Sequence, residues 1–389
     1  MQKLTIQRTN GNVPRALAGE DHISALLFYH NTLPDGFTTN DRIKAVSSIE
    51  TAEGLGITAD SSDWGIRVLH YQLTEIFNLN PAISLYVGIY SPASETSTFA
   101  EIKKIQNFAG GRIRQIGVWN GSVAMTTTDL NSLQSIRTTL EQQNMPLSIC
   151  YAPKVGDVTQ LAQDIAGSNC NGVSVIIGQD GAGTAATLYT DESNTSKASV
   201  TAIGEWIGIC SAASVHESIA WVEKFPTKIA LPAFADGTLL RDLDSAIIET
   251  LDTARYLFFV TYDGIAGAYF NDSHTMDSAT SDYAYIENVR TMDKAVRGVR
   301  TYTLPKLGRP LKVDATTGKL ETYVVEDLQL TANRALEAME KAGELSGYSV
   351  EIDPDQNVLA TSTVEMVIKN VAVGVMRQLK IKIGFAQSV

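Results

Sequence analysis

Three pieces of one stretch decide the fold: Ile113-Arg-Gln-Ile-Gly-Val-Trp119, Asp129-Leu-Asn-Ser-Leu-Gln-Ser-Ile-Arg-Thr-Thr-Leu-Glu-Gln-Gln143 and Leu147-Ser-Ile-Cys-Tyr151. The outer two are short apolar runs of strand length. The middle one carries Leu130, Leu133, Ile136 and Leu140 at helical spacing. A strand, an amphipathic helix and a second strand in that order predict parallel pairing with the helix packed across the sheet.

The alternation continues outward. Further strands are predicted at 83–90, 173–177, 228–231 and 256–261, and helices at 157–166, 195–225 and 241–254. Upstream, Asn40 or Asp41 is placed to cap a helix running to Gly54, with Ile43, Val46 and Ile49 on one stripe. A second helix fits 63–78, where Ile66, Leu69, Leu73, Ile76 and Phe77 share a face. After about 285 the texture changes. Long helical patterns cover 285–302 and 322–341, with a turn-rich break at 304–310, and strands are expected at 348–352 and from 358 onward. Helices followed by strands predict a compact α+β module behind the α/β body.

The carboxyl-terminal stretch has its own signature. Leu379, Ile381, Ile383 and Phe385 fall on one face, and Lys380 and Lys382 on the other. Period-two alternation predicts a half-buried strand. Such a strand at the end of a chain can pair with another chain. Residues 1–18 read as an extended arm in which Leu4 and Ile6 alternate with polar residues. Both features point to assembly before catalysis.

Composition sets outer bounds. The chain has 389 residues, 44% hydrophobic and 19% charged, enough for two or three domains and a substantial core. A net charge of −12 argues against general nucleic-acid binding, which needs a basic face. Three cysteines without regular spacing (Cys150, Cys170, Cys210) read as reduced thiols. No signal peptide and no membrane span are expected, which places synthesis in the cytosol.

The patterns that carry chemistry elsewhere are incomplete here. Gly178-Gln-Asp-Gly-Ala-Gly183 follows a predicted strand, as a phosphate-cradling loop would. Its glycine spacing fits neither nucleotide motif, and a plain loop is the simpler reading. Asp272, His274, Asp277 and Asp282 cluster closely enough to hold a hard cation or do acid–base work, yet miss the calcium-loop spacing. Polar loops rich in Asx-turns look the same. His216, in Ser214-Val-His-Glu-Ser218, reads as part of a helix, with a surface or capping role. No Gly-x-Ser-x-Gly elbow occurs.

Several stretches resemble contractile phage tail sheath proteins: Gly267-Ala-Tyr-Phe-Asn-Asp-Ser-His274, Asp282-Tyr-Ala-Tyr-Ile-Glu-Asn-Val-Arg-Thr-Met-Asp-Lys-Ala-Val-Arg297, Gly343-Glu-Leu-Ser-Gly-Tyr-Ser-Val-Glu-Ile-Asp353, and the ending from Val371 to Phe385. Ala52-Glu-Gly-Leu-Gly-Ile57 and Ser84-Leu-Tyr-Val87 are similar to the amino-terminal part of that family. The resemblance covers most of the chain and is strongest from about 255 onward.

The resemblance implies a subtilisin-like α/β middle domain without catalytic activity, a carboxyl-terminal α+β sheath module, and arms that add strands to neighbouring subunits. The implied divisions are 1–18 (arm), 19–92, 93–284 (subtilisin-like), 285–370 (sheath module) and 371–389 (arm). Strand exchange would fall to Leu4, Ile6, Val371, Val373, Val375, Leu379, Ile381, Ile383 and Phe385. Arg377, Lys380 and Lys382 would touch the tube or a neighbour. Implied partners are further copies of the chain in sixfold rings stacked as a helical sheath, the tail tube protein, and baseplate and terminator proteins, without nucleic acid, membrane insertion or cofactor. The location implied is a virion tail assembled in the bacterial cytoplasm. The competing readings are an α/β nucleotide-binding enzyme using the 178–183 loop, and another tail assembly protein.

Overall fold

The computed structural model describes residues 19–92, 97–161 and 169–385. Its centre is a six-stranded sheet made of β1 (Ile23–Tyr29), β2 (Ile43–Val46), β3 (Ser84–Tyr90), β4 (Gln115–Ala124), β5 (Ser148–Lys154) and β6 (Val173–Val175), in the order β2-β3-β1-β4-β5-β6. All neighbours are parallel except β2, which runs antiparallel to β3 at the edge. The sheet runs continuously across the division expected at 92/93, because β1 lies hydrogen-bonded between β3 and β4.

Helices cover both faces. Leu26 and Phe28 of β1 face one core, with Leu69, Leu73 and Ile76 of α2 (Trp64–Leu79). Ala25, Leu27 and Tyr29 face the other, with Ile102 and Ile105 of α3 (Glu101–Phe108) and Leu130, Leu133 and Leu140 of α4 (Thr127–Gln142). Alternate side chains of one strand thus feed two cores, as a parallel sheet buried on both sides requires. All seven β1 residues are buried. That is why sequence reading passed over it, since a run buried on both sides has no alternation to detect.

Where caps are strong, the expected elements formed. Asp63 accepts from the Ile66 N–H to begin α2. Thr126 and Asp129 form a reciprocal capping box that opens α4. Other expectations are corrected. The helix expected from Asn40 or Asp41 is two elements: Ile43–Val46 pair with β3, and α1 (Ile49–Gly54) starts only where Ser48 caps Thr51 N–H. The strand expected at 228–231 lies later, as β8 (Pro232–Phe234), antiparallel to β7 (Gly178–Asp180). Of the helix expected at 157–166, Val158–Gln160 form a single 3-10 turn, and 162–168 lie outside the described residues.

Between β7 and β8 come α5 (Gly183–Thr190) and α6 (Ile203–Ala212). The long helix expected at 195–225 is only α6. Its start is fixed by a distant group, the buried Gln72 side chain, which accepts from Gly204 N–H at 2.7 Å and donates to Thr201 O at 2.9 Å. A Cβ at Gly204 would stand 2.5 Å from the Gln72 carbonyl oxygen, so the α2–α6 approach needs glycine there. After α7 (Ser245–Thr253), Leu257 bridges to Ile176 in parallel, extending the sheet by one rung. The next residues turn into a hairpin of β9 (Phe259–Tyr262) and β10 (Ile265–Phe270). No helix among the described residues is long and apolar enough to cross a membrane.

The remainder is a smaller α+β layer: α8 (Ile286–Thr303), α9 (Thr322–Lys341), β11 (Gly347–Glu351), α10 (Val358–Thr361) and β12 (Val367–Val371). The strand expected from 358 onward is delayed because Asn357 caps a helical turn, which ends at Ser362 with φ 53°. The α8–α9 crossing is tight, since a Cβ on Gly298 would lie 3.0 Å from the Ala335 Cβ.

Candidate assembly site at the carboxyl-terminal hairpin

The site begins with how α8 is seated on the body. Arg290, 4% exposed, donates to the carbonyls of Cys210 (2.7 Å) and Ala213 (3.0 Å) at the end of α6. These are the acceptors a helix carboxyl terminus leaves without partners. One turn on, Arg137 of α4 approaches Asp293 at 3.4 Å, and Lys294 reaches Asp21 at 2.6 Å. Burial raises the Asp293 carboxyl above its ordinary range against the pull of Arg137, and burial lowers the Arg297 guanidinium to about 10. α8 is therefore fastened to the α/β body by buried charge as well as by apolar contact.

On α8 and α9 lies the β11–β12 hairpin, in register from Gly347↔Val371 to Glu351↔Val367. Tyr348, Val350 and Ile368 pack against Ala295, Leu336, Met339 and Leu345. Val367 and Val371 point outward and are exposed. Among the described residues the hairpin has no third strand, so both outer edges are open. A two-stranded sheet is marginal alone and gains stability from the helices beneath it or from added strands.

Beyond β12 the chain crosses back toward the body. Val373 and Val375 line a cavity of about 620 Å³ with His216, Trp221 and Tyr262. Arg377 then closes onto the body: its Nε donates to both Asp272 carboxylate oxygens (3.0 and 3.1 Å) and its Nη2 to Ser273 Oγ (3.0 Å) and to Glu287. Its guanidinium carbon lies 3.4 Å from the centre of the Tyr285 ring. Burial works against the charged guanidinium, but Glu287 and Asp272 outweigh it and hold it more firmly protonated than usual. Arg377, expected at the tube or a neighbour, is thus engaged within its own chain. The sequence gives no sign of these contacts, because the partners Glu287 and Asp272 stand 90 and 105 residues away.

Past Arg377 the picture reverses. Leu379, Ile381 and Ile383 are 66%, 69% and 93% exposed, and Phe385 is fully exposed. None lies in a hydrogen-bonded strand. The half burial that the alternation predicts is absent in the single chain. Lys380 and Lys382 are exposed and have no ion-pair partner among the described residues. Leu4 and Ile6 lie outside the described residues.

The other candidates resolve as structure. In the 178–183 loop, Asp180 accepts from the N–H groups of Ala182, Ala230 and Leu231 at 3.0 Å each, so a carboxylate of the chain itself occupies the anion position before α5. Asp272 holds Arg377, His274 Nε2 sits 3.3 Å from Asp252, and Asp277 accepts from Ser281 Oγ at 2.6 Å. Among the described residues no three His, Cys, Asp or Glu side chains converge as a metal site. His216, expected in a helix, lies in the turn after α6. One buried pair went unseen in the sequence. Glu205 on α6 and Glu75 on α2 face each other, and burial first, then Glu75, pushes the Glu205 carboxyl well above its usual range, opposed by the Lys228 N–H.

Comparison with known proteins places this architecture. A protein of Haemophilus phage HP1 (strain HP1c1) named "Putative tail sheath protein" is 38% identical over 92 residues, which span 24% of this chain and 23% of that protein. The fold is similar to a chain in the cryo-EM structure of the anti-feeding prophage baseplate, sixfold symmetrised, with a TM-score of 0.63 and 13% identity over 100% of both chains. It is also similar to a chain of the sheath complex of an extracellular contractile injection system in the contracted state, with a TM-score of 0.60 and 11% identity over 100% of this chain and 98% of that one. A chain of the anti-feeding prophage baseplate in its contracted state gives a TM-score of 0.57 and 13% identity over 100% of this chain and 97% of that one. The mixed α/β fold of this chain is thus that of contractile injection system components, in line with the resemblance read from the sequence. Residues 1–274 match the family described as DUF2586, N-terminal domain, and residues 282–389 match DUF2586, C-terminal domain, so the chain belongs to the DUF2586 family.

Proposed function

We propose that the protein is a structural sheath subunit of a contractile tail. It polymerises as sixfold rings around a tail tube and shortens to drive the tube through a target cell envelope. One observation carries the reading. The alternating apolar segment Leu379 to Phe385 stands exposed, and among the described residues the β11–β12 sheet has only two strands, with open edges. Each copy both offers a strand and lacks one, the complementarity that strand addition uses. Main-chain pairing would keep the mesh linked while the bodies turn as rigid units.

In this reading 1–18 and 371–389 are the exchanged arms and 285–370 the sheath module. The mostly parallel sheet supports a subtilisin-like middle domain. The protein has no catalytic role; the tube, baseplate and terminator proteins are its partners, and the virion tail is its location. Electron microscopy of purified protein tests this. Tubes or stacked rings support it, and a persistent monomer under assembly conditions sinks it. Deleting 371–389 abolishes polymerisation while circular dichroism of the α/β body is preserved.

A second reading, a baseplate component, is favoured by the two baseplate structures among the similar folds. It forms closed rings that do not extend into tubes, so the same micrographs separate the two.

A further inference from the structure

The arm leaves the body at a built junction. Three segments meet at Arg377: the loop after β10 (Asp272, Ser273), the first turn of α8 (Tyr285, Glu287) and the arm itself. Two guanidinium groups approach the Tyr285 ring, with Arg377 at 3.4 Å from its centre and Arg255 at 5.2 Å. Arg255 is itself held, its Nε donating to Thr275 O at 2.8 Å. Glu287 is 2% exposed and accepts from Ser273 Oγ at 2.6 Å besides Arg377.

This differs from a surface ion pair. If Arg377 swung away, Glu287 would keep a buried carboxylate with one neutral donor, an arrangement strongly disfavoured against the paired one. The planar guanidinium meets Asp272 with one edge, Glu287 with a second nitrogen and Tyr285 with its face, which lysine cannot reproduce. The chain is therefore pinned twice, at Val371 by the hairpin and at Arg377 by this cluster. The segment free to swing begins at Gln378.

We propose that Arg377 is an intramolecular latch. It fixes the exit of the carboxyl-terminal strand from the subunit body, so that a second copy of the chain receives residues 378–385 already oriented. The latch rests on the reading of those residues as a strand given to a neighbour. Arg377 is a positioning residue: its contacts to Asp272, Ser273, Tyr285 and Glu287 are made within its own subunit, and it acts by limiting the arrangements the strand must lose on pairing. Pre-orientation of this kind raises affinity by lowering the ordering cost.

The test uses the full chain. The native thiols Cys150, Cys170 and Cys210 are all buried, so introduced surface cysteines can be labelled selectively. Spin labels at Glu249→Cys on α7 and Lys380→Cys on the tail report their separation by pulsed electron resonance. With Arg377 present a narrow distance distribution is expected. Arg377→Gln widens it about twofold or more and, in the unlabelled chain with Lys380 intact, raises the critical concentration for assembly about tenfold or more. Asp272→Asn leaves Glu287 paired and gives an intermediate width, which provides the reading should Arg377→Gln fail to fold by circular dichroism. An unchanged width in the folded variants overturns the latch. If the parent protein never polymerises, the sheath reading falls while the widths still test the latch. If Arg377→Gln polymerises like the parent with unchanged width, the latch falls and the sheath reading stands.

Discussion

Replacing Ile381 and Ile383 by serine separates folding from assembly. Both side chains are exposed in the single chain, so their removal leaves thermal stability within about 0.5 kcal/mol of the parent, as for other surface substitutions. In a joined strand they would lie on the face turned toward the helices of the receiving copy. Full burial of an isoleucine contributes about 1.5–3 kcal/mol, and an edge strand covered on one side realises about half of that. The pair therefore contributes about 1.5–3 kcal/mol per contact, or a rise of roughly 10- to 150-fold in the critical concentration for polymerisation. Light scattering or sedimentation against protein concentration measures that threshold, and a thermal melt at low concentration measures the fold. An unchanged threshold refutes the idea that this face is buried on assembly. A melting temperature lowered by several degrees refutes the idea that the tail is outside the folded core.

Gly298→Leu forces a side chain into the 3.0 Å approach to Ala335, and overpacking of this kind costs about 1–3 kcal/mol; proteolysis should then open the α8–α9 layer before the α/β body. Arg290→Ala leaves the Cys210 and Ala213 carbonyls without their donor and should lower unfolding free energy by roughly 2–4 kcal/mol, read by chemical denaturation. Glu205→Gln tests the buried carboxyl pair. The folded-state pKa of Glu205 lies above its ordinary 4.5, so the stability this group contributes is complete below about pH 4.5 and is lost as pH rises through the folded pKa. Glutamine keeps the acceptor for Lys228 N–H and can donate to Glu75. The variant should therefore lose less stability than the parent between pH 4.5 and neutrality, and parallel melting curves across that range would exclude the mechanism.

Legibility in the sequence followed how each element is buried. α2, α4, α8 and α9 each bury one stripe, so periodicity finds them without use of the caps that start two of them, Asp63 and the Thr126–Asp129 box. β1 and α6 are buried on all sides and lack side-chain caps of their own, so no amphipathic period marks them. α6 begins where Gln72 of α2 reaches it, a fact of tertiary structure. At the assembly site, the alternation of Leu379 to Phe385 could be read directly. The opposite holds for Arg377, whose partners Asp272, Ser273, Tyr285 and Glu287 converge only when the β10 loop, the start of α8 and the arm are brought together.

The lysines within the tail fit the same logic. An exposed strand carrying leucine, isoleucine and phenylalanine would pair with its own kind unless something made that pairing worse than the intended one. Two such tails side by side would bring Lys380 and Lys382 of each against those of the other, and like charges directly opposite in a sheet are destabilising. The chain as a whole carries a net charge of −12, so a tail approaching another subunit meets the opposite sign. The alternation thus separates two tasks on two faces. The apolar face supplies the burial that rewards insertion into a sheet, and the lysine face penalises pairing between tails while drawing the strand toward an acidic body. If the tail is exchanged as proposed, this division would give Lys380 and Lys382 a role in assembly that needs no contact with a tube.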